Sequence, residues 1–212
     1  MDRLSIVSGS PEGLHYDRKR MRLILASASP RRAELLTSAG YTFEVVAASV
    51  DETPAPGESP ADYTLRVARD KVRAVTSRSG STSNHRDAVI AAADTEVVID
   101  GRILGKPADH DHAAEMLRLL SGRVHHVLTA LVLQKGDSER TDVVRTAVSF
   151  LPLTDQAIAW YVASGEPMGK AGGYAIQGFG ARFIDRIEGS WANVVGLPVH
   201  RFDVLLESLS SR

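Results

Sequence analysis

The sequence predicts an α/β protein built on a mixed β-sheet, and three observations carry that reading. Apolar strand-like runs alternate with amphipathic helix-like runs, but not as a regular βαβ repeat. Leu23-Ile24-Leu25-Ala26 runs straight into a helical stretch through Ser27-Ala28-Ser29-Pro30. The other polar and glycine-rich signals also stand at junctions, so reactive groups are expected on loops between elements.

The elements follow in order. Ser29 suits an N-cap and Pro30 the first helical turn; Leu35, Leu36 and Ala39 supply an apolar face and Gly40 a stop. Residues 42–50 are β-rich and predict a second strand. Asp51-Glu52-Thr53-Pro54-Ala55-Pro56-Gly57 reads as a loop, and Ser59-Pro60-Ala61-Asp62 as a capping box opening a helix to about Arg78. A polar loop is expected at 79–86. Residues 88–93 predict a buried strand ending at Asp94-Thr95, and Val97-Val98-Ile99 leads into an Asp100-Gly101 hairpin signal. A helix is expected at 109–120, stopped by Gly122. Two strands at 123–134 and 141–153 are expected to join through Lys135-Gly136-Asp137. Thr154 caps a helix to Ser164, and residues 165–180 form a glycine-rich loop. A strand at 181–187, a short helix from Ser190 and a last helix from Pro198 to about Leu209 complete the chain. Residues 1–20 read as a loosely ordered extension, leaving 21–212 as one domain.

Composition excludes several classes. The chain has 212 residues and a net charge of −1, so no global basic field holds nucleic acid. There is no cysteine, hence no disulfide, thiolate metal site or cysteine nucleophile. No run approaches membrane-spanning length, and the polar N-terminus is unlike a signal peptide. The cytoplasm is the expected compartment. Oligomeric state is not fixed by the sequence, a homodimer being one option.

The strand-to-helix turn at Ser27–Arg32 is a ready anion site. Free backbone N–H groups and the positive end of a helix dipole meet there. Ser27, Ser29, Arg31 and Arg32 add hydroxyls and fork-shaped cations suited to phosphate oxygens. Ser-Pro-Arg-Arg also fits a kinase target or a DNA-contacting tail, but its apolar flanks favour packed structure. Asp94 follows the apolar run 89–93, where a carboxylate can bind a metal or take a proton from water. With Asp51 and Glu52 it would form a hard oxygen site for Mg2+ or Mn2+. Lys71, Lys106 and Lys170 complete a set able to neutralise a triphosphate. Gly178-Phe179-Gly180 precedes a strand and is no dinucleotide loop. His110 and His112, like His125 and His126, lack metal-ligand spacing. No Gly-x-Ser-x-Gly elbow occurs.

These motifs together resemble the Maf proteins, nucleoside triphosphate pyrophosphatases related in fold to the inosine triphosphatases. The resemblance rests on Ser27-Ala28-Ser29-Pro30-Arg31-Arg32, Asp51-Glu52, Arg69-Asp70-Lys71, Ala93-Asp94-Thr95, Gly101 to Pro107, Gly172-Gly173-Tyr174-Ala175-Ile176-Gln177-Gly178 and Asn193-Val194-Val195-Gly196-Leu197-Pro198. It implies a two-lobed fold, with a twisted mixed β-sheet, flanking helices and a deep cleft. It implies hydrolysis of a nucleoside triphosphate to the monophosphate and pyrophosphate with a divalent ion. Asp94 matches the family's catalytic carboxylate, and Glu52, Lys71 and Lys106 match active-site positions. Arg31, Thr95 and Gln177 match positions tied to substrate choice in the subfamily acting on dTTP and UTP, as against 7-methyl-GTP. Metal binding is expected at Glu52 and Asp94. Trp191 and Asp70 depart from the usual tyrosine and glutamate. The alternatives are a nucleotide-binding regulator of septum formation without turnover, and a pyrophosphatase for modified nucleotides.

Overall fold

A computed structural model describes residues 21–78 and 88–210 of the chain. The expected extension at 1–20 and the polar loop at 79–86 lie outside the described residues. Strand β1 (Leu23–Leu25) leads into helix α1 (Pro30–Ser38), followed by β2 (Glu44–Val45) and α2 (Pro60–Arg78). Next come β3 (Val89–Ile99), β4 (Arg102–Leu104), α3 (His110–Leu120), β5 (Val124–Lys135) and β6 (Ser138–Phe150). The chain closes with α4 (Asp155–Ala163), β7 (Ile184–Glu188), α5 (Trp191–Val195) and α6 (Val199–Ser210). No helix among the described residues is long and apolar enough to cross a membrane.

All seven strands join one sheet in the order β2-β1-β3-β5-β6-β7, with β4 beside β3. The sheet is mixed, as predicted: β1 runs parallel to β2 and β3, and the remaining pairs are antiparallel. The register on β3 decides where the site lies. One edge of β3 pairs with β1 only as far as Ala91, through Leu25. The same strand meets β4 from Val97 onward, through Leu104. From Ala92 to Glu96 that edge has no strand beside it among the described residues, while β5 covers the other edge throughout. A crevice therefore opens beyond the carboxyl end of β1, the usual position for a ligand in an open α/β sheet.

Three apolar clusters flank the crevice. Alternation along β3 sends Ala91 and Ala93 to a cluster with Leu36, Leu197 and Phe202. Ile90 and Ala92 go to the opposite face, against Ala68, Val72 and Val75 of α2. Val97 and Ile99 belong to the far cluster with Leu117, Phe150 and Tyr161. The two ends of β3 thus sit in separate cores, the basis of the two lobes. The glycine-rich stretch packs directly on β3. A Cβ at Gly172, where φ is +68°, would lie 2.9 Å from the Val97 side chain.

Several boundaries differ from the sequence reading. The strand expected at 42–50 shrinks to Glu44–Val45. β3 does not end at Asp94. It runs on to Ile99, because Asp94 keeps its backbone pairing with Ala130 while its side chain leaves the sheet. The β5–β6 turn is tighter than expected, Lys135 pairing with Ser138. A 3₁₀ turn at Phe179–Phe183 delays β7 to Ile184. Ser29 occupies the N-cap of α1, but its hydroxyl makes no capping bond. Ser59, Asp109, Thr154 and Ser190 do accept the N–H bonds that mark their helix starts.

Phe202 is fully buried and meets Tyr41 edge to face at 5.3 Å. Phe202→Ala is expected to lower stability by about 3–5 kcal/mol, as for other large-to-small core changes. Urea unfolding followed by circular dichroism checks this.

Candidate active site

The crevice is a cavity of about 370 Å³, within the range of small-molecule sites. The structure brings Ser27, Ser29, Arg31, Arg32, Glu52, Lys71, Asp94, Thr95, Lys106, Lys170 and Gln177 to its lining, residues spread over 150 positions of sequence. Asp51 is not among them. Its carboxylate turns back to accept from the Thr53 N–H at 2.9 Å, so only Glu52 of that pair reaches the cavity. Asp70 and Trp191, the two departures from the family pattern, also lie outside the lining. The expectation that the reactive groups sit on loops is corrected in part. Asp94 and Thr95 lie within β3, a rigid element, while Lys71 lies on α2, inside the helix expected there.

Charge is organised around Lys71. α2 packs across β3 and delivers the Lys71 ammonium between two carboxylates, 2.7 Å from Asp94 Oδ1 and 2.8 Å from Glu52 Oε1. Lys106, arriving after β4, reaches Glu52 Oε2 at 3.4 Å. Burial opposes ionisation of Glu52, but Lys71 and then Lys106 hold its carboxyl below the usual range. Asp94 Oδ2 is buried and has no partner among the described residues.

Sequence reasoning missed Glu96. It stands two residues from Asp94 on one strand, so both side chains leave the same face; that spacing was the available signal. Glu96 is 8% exposed, lines the cavity, and leaves Oε2 buried without a partner. Burial, then the charges of Asp94 and Glu52, push its carboxyl up to about 8.

The arginines divide the work that the sequence gave them jointly. Arg32 is buried and fully engaged. Its Nε donates to Gly196 O at 2.9 Å, and its terminal nitrogens to Ser27 Oγ at 3.2 Å and Thr95 Oγ1 at 3.0 Å. Burial pulls its guanidinium down from its ordinary value, yet arginine stays charged. Arg32 ties α1, β3 and the α5–α6 turn together at the floor of the crevice. Arg31 makes no hydrogen bond or ion pair among the described residues, and neither does the Gln177 amide. Thr95 Oγ1 also lies 3.0 Å from Thr129 Oγ1, whose hydroxyl donates to Asn193 O at 3.0 Å. The Lys170 ammonium donates to the backbone carbonyl of Glu166, and burial and Arg31 lower its pKa.

His125 and His126 stay apart from this chemistry. His125 is buried against Phe150 and Tyr174, its Nε2 2.8 Å from the Tyr174 hydroxyl, and burial drives its pKa down to about 3. His126, on the other face, meets Arg145.

A mixed α/β fold with cations, paired carboxylates and a helix start around one crevice defines an anion-binding protein with acid–base groups at hand. The particular family follows from comparison with known proteins. Residues 22–209 match the family model described as Maf-like protein, and the chain belongs to that family. It is 49% identical over 189 residues to a dTTP/UTP pyrophosphatase of Anaeromyxobacter dehalogenans (strain 2CP-1 / ATCC BAA-258), covering 87% of this chain and 92% of the relative. It is 46% identical to the dTTP/UTP pyrophosphatase of Escherichia coli O157:H7, covering 89% and 93%. Among solved structures, the Ham1 protein of Staphylococcus aureus aligns over 63% of this chain and 72% of its own, with 14% identity and a TM-score of 0.38.

The Glu96 carboxyl gives a pH signature. Its pKa is raised in the fold, so its contribution to stability is fully present below about 4.5 and is lost as pH rises through about 8. In metal-free protein, the urea midpoint of the unmodified chain is expected to fall relative to Glu96→Gln between those values. Parallel midpoint curves for the two proteins in EDTA would remove Glu96 as the source.

Proposed function

We propose that this protein hydrolyses dTTP and UTP to the monophosphate and pyrophosphate, clearing nucleotide pools in the cytoplasm. The observation that carries the reading is the convergence of Asp94, Lys71, Glu52, Lys106 and Arg31 on one crevice at the start of α1. The printed activity of relatives nearly half identical over almost their whole length supports it.

In this reading the triphosphate enters with its anionic chain toward the α1 start, where Ser27, Ser29 and Arg31 meet phosphate oxygens. Lys71, Lys106 and Lys170 offset the charge that builds on the leaving group. Asp94 Oδ1 is fixed by Lys71, which leaves Oδ2 to orient a water and accept its proton. The water oxygen bonds to the α-phosphorus as the bond to the α–β bridging oxygen breaks. The electron pair leaves with pyrophosphate. Arg32 holds the floor rigid through Gly196, Ser27 and Thr95.

Mg2+ or Mn2+ suits the donor set, because Asp94 Oδ2 and Glu96 Oε2 are buried carboxylate oxygens without partners. Among the described residues no three acidic or histidine side chains already close around one point. Asp94 and Glu96 would hold the ion through those oxygens, with Glu52, whose own two oxygens meet Lys71 and Lys106, beside them, and it would supply charge neutralisation to the polyphosphate. The balanced net charge supplies no broad basic field for nucleic acid.

Uracil and thymine present an N3–H between two carbonyls. Gln177, exposed at the rim, can accept from N3–H and donate to O4, with Thr95 as a further polar contact.

Incubation with UTP and Mg2+ in H₂¹⁸O is expected to release pyrophosphate and to label the monophosphate. Orthophosphate as the first product would overturn the reading, and pure binding without turnover would favour a regulator. Asp94→Asn is expected to lower kcat about a hundredfold or more, as for a lost general base. Gln177→Ala is expected to narrow the preference for UTP over CTP by about one to two decades, the value of a lost hydrogen bond in a polar site. Competition between the two nucleotides measures it directly.

A further inference from the structure

The Gln177 loop is held from behind by two side chains that do not line the cavity. Glu166 follows α4, and Tyr161 lies in the helix itself. Glu166 Oε1 accepts from the Tyr161 hydroxyl at 2.8 Å and from the Gly180 N–H at 2.9 Å. Glu166 Oε2 accepts from the Phe179 N–H at 2.9 Å. The Tyr161 hydroxyl accepts in turn from the Ala175 N–H at 3.1 Å. The loop is thus anchored at 175 on one side of Gln177 and at 179 and 180 on the other. Only Ile176, Gln177 and Gly178 span the gap.

The clamp is itself rigid. Tyr161 is fully buried and meets Phe183 edge to face at 5.0 Å. The Glu166 N–H donates to Ser164 Oγ at 3.2 Å. Space around the carboxylate is filled: a Cβ at Gly178 would lie 2.5 Å from Glu166 Oε2. A Cβ at Gly180 would lie 2.5 Å from the Ala175 carbonyl and 2.8 Å from the Tyr161 hydroxyl. Burial opposes ionisation of Glu166, but the Phe179 and Gly180 N–H groups and Tyr161 keep its carboxyl below the usual range.

We propose that Glu166, with Tyr161, is the positioning residue of the base-reading loop, fixing the backbone that carries Gln177 so that the amide favours the uracil or thymine edge over the reversed edge of cytosine. The proposal rests on the pyrimidine reading above. An amide on a free loop could flip and meet either edge, so selectivity requires the backbone to be held before substrate arrives. Neither Glu166 nor Tyr161 lines the cavity, and the Lys170 ammonium bonds the Glu166 backbone carbonyl, which a side-chain change keeps.

The test compares kcat/KM for UTP, CTP and the base-free ribose 5-triphosphate in the unmodified protein, Glu166→Gln and Tyr161→Phe. In Glu166→Gln a single amide oxygen cannot serve three donors, and the new NH₂ confronts a backbone N–H. The UTP-to-CTP ratio is expected to fall about tenfold or more, carried mainly by KM for UTP, with base-free turnover within about twofold. Tyr161→Phe loses the anchor at 175 alone, and the ratio is expected to fall about three- to tenfold. An unchanged ratio in either folded variant overturns the proposal, as does an equal loss on all three substrates. If Glu166→Gln does not fold, Tyr161→Phe decides by the same criterion. No preference for UTP in the unmodified protein overturns the pyrimidine reading and the clamp with it. A preference there that Glu166→Gln leaves intact overturns the clamp alone.

Discussion

The structure turns on one constraint: β3 changes its neighbour partway along its length. β1 accompanies it to Ala91 and β4 takes over at Val97. The intervening edge must find other partners for its polar groups and cannot be closed with apolar side chains without losing the crevice. Asp94, Thr95 and Glu96 fall in that interval, on a strand whose other edge is locked to β5. A rigid strand thus presents functional groups at a gap in its own sheet, which holds them more firmly than a loop would.

Ion pairing then makes the gap tolerable. A buried carboxylate is costly unless paired, and Lys71, from the middle of α2, compensates the buried Asp94 while also meeting the more exposed Glu52. The balance is deliberately incomplete. Asp94 and Glu96 each keep one buried oxygen without a partner, and Arg31 keeps its donors. Where such oxygens face the crevice, a ligand can complete their bonding. Arg32 shows the opposite case. Each of its three nitrogens bonds a separate element, so its role is to hold the floor on which the others act.

The far wall works by the same logic at longer range. α4 and the segment after it belong to the distal lobe, yet they set the position of the loop at the rim through Tyr161 and Glu166. The close approach of Gly172 to Val97 ties the start of that loop to β3. Both walls of the crevice are therefore referred to the same central strand, one through α2 and the other through the glycine-rich stretch.

The sequence by itself determined the class of fold, the order of its elements and most helix starts, because these depend on local periodicity and capping at Ser59, Asp109, Thr154 and Ser190. It also named most of the polar residues that line the crevice, some for their chemistry beside apolar strands and others, Thr95 and Gln177 among them, through the family resemblance alone. Tertiary structure decided how they are used. Nothing local distinguishes Arg31 from Arg32, or Glu52 from Asp51. The difference lies in which of each pair meets Gly196 or Lys71 from distant parts of the chain. Glu96 was hidden for a related reason. Its place in the crevice follows only once β3 is known to continue past Asp94, and that depends on pairing with β5 some 35 residues later. Glu166 carried no local signal at all, because its three donors come from Tyr161, Phe179 and Gly180, brought together only by folding.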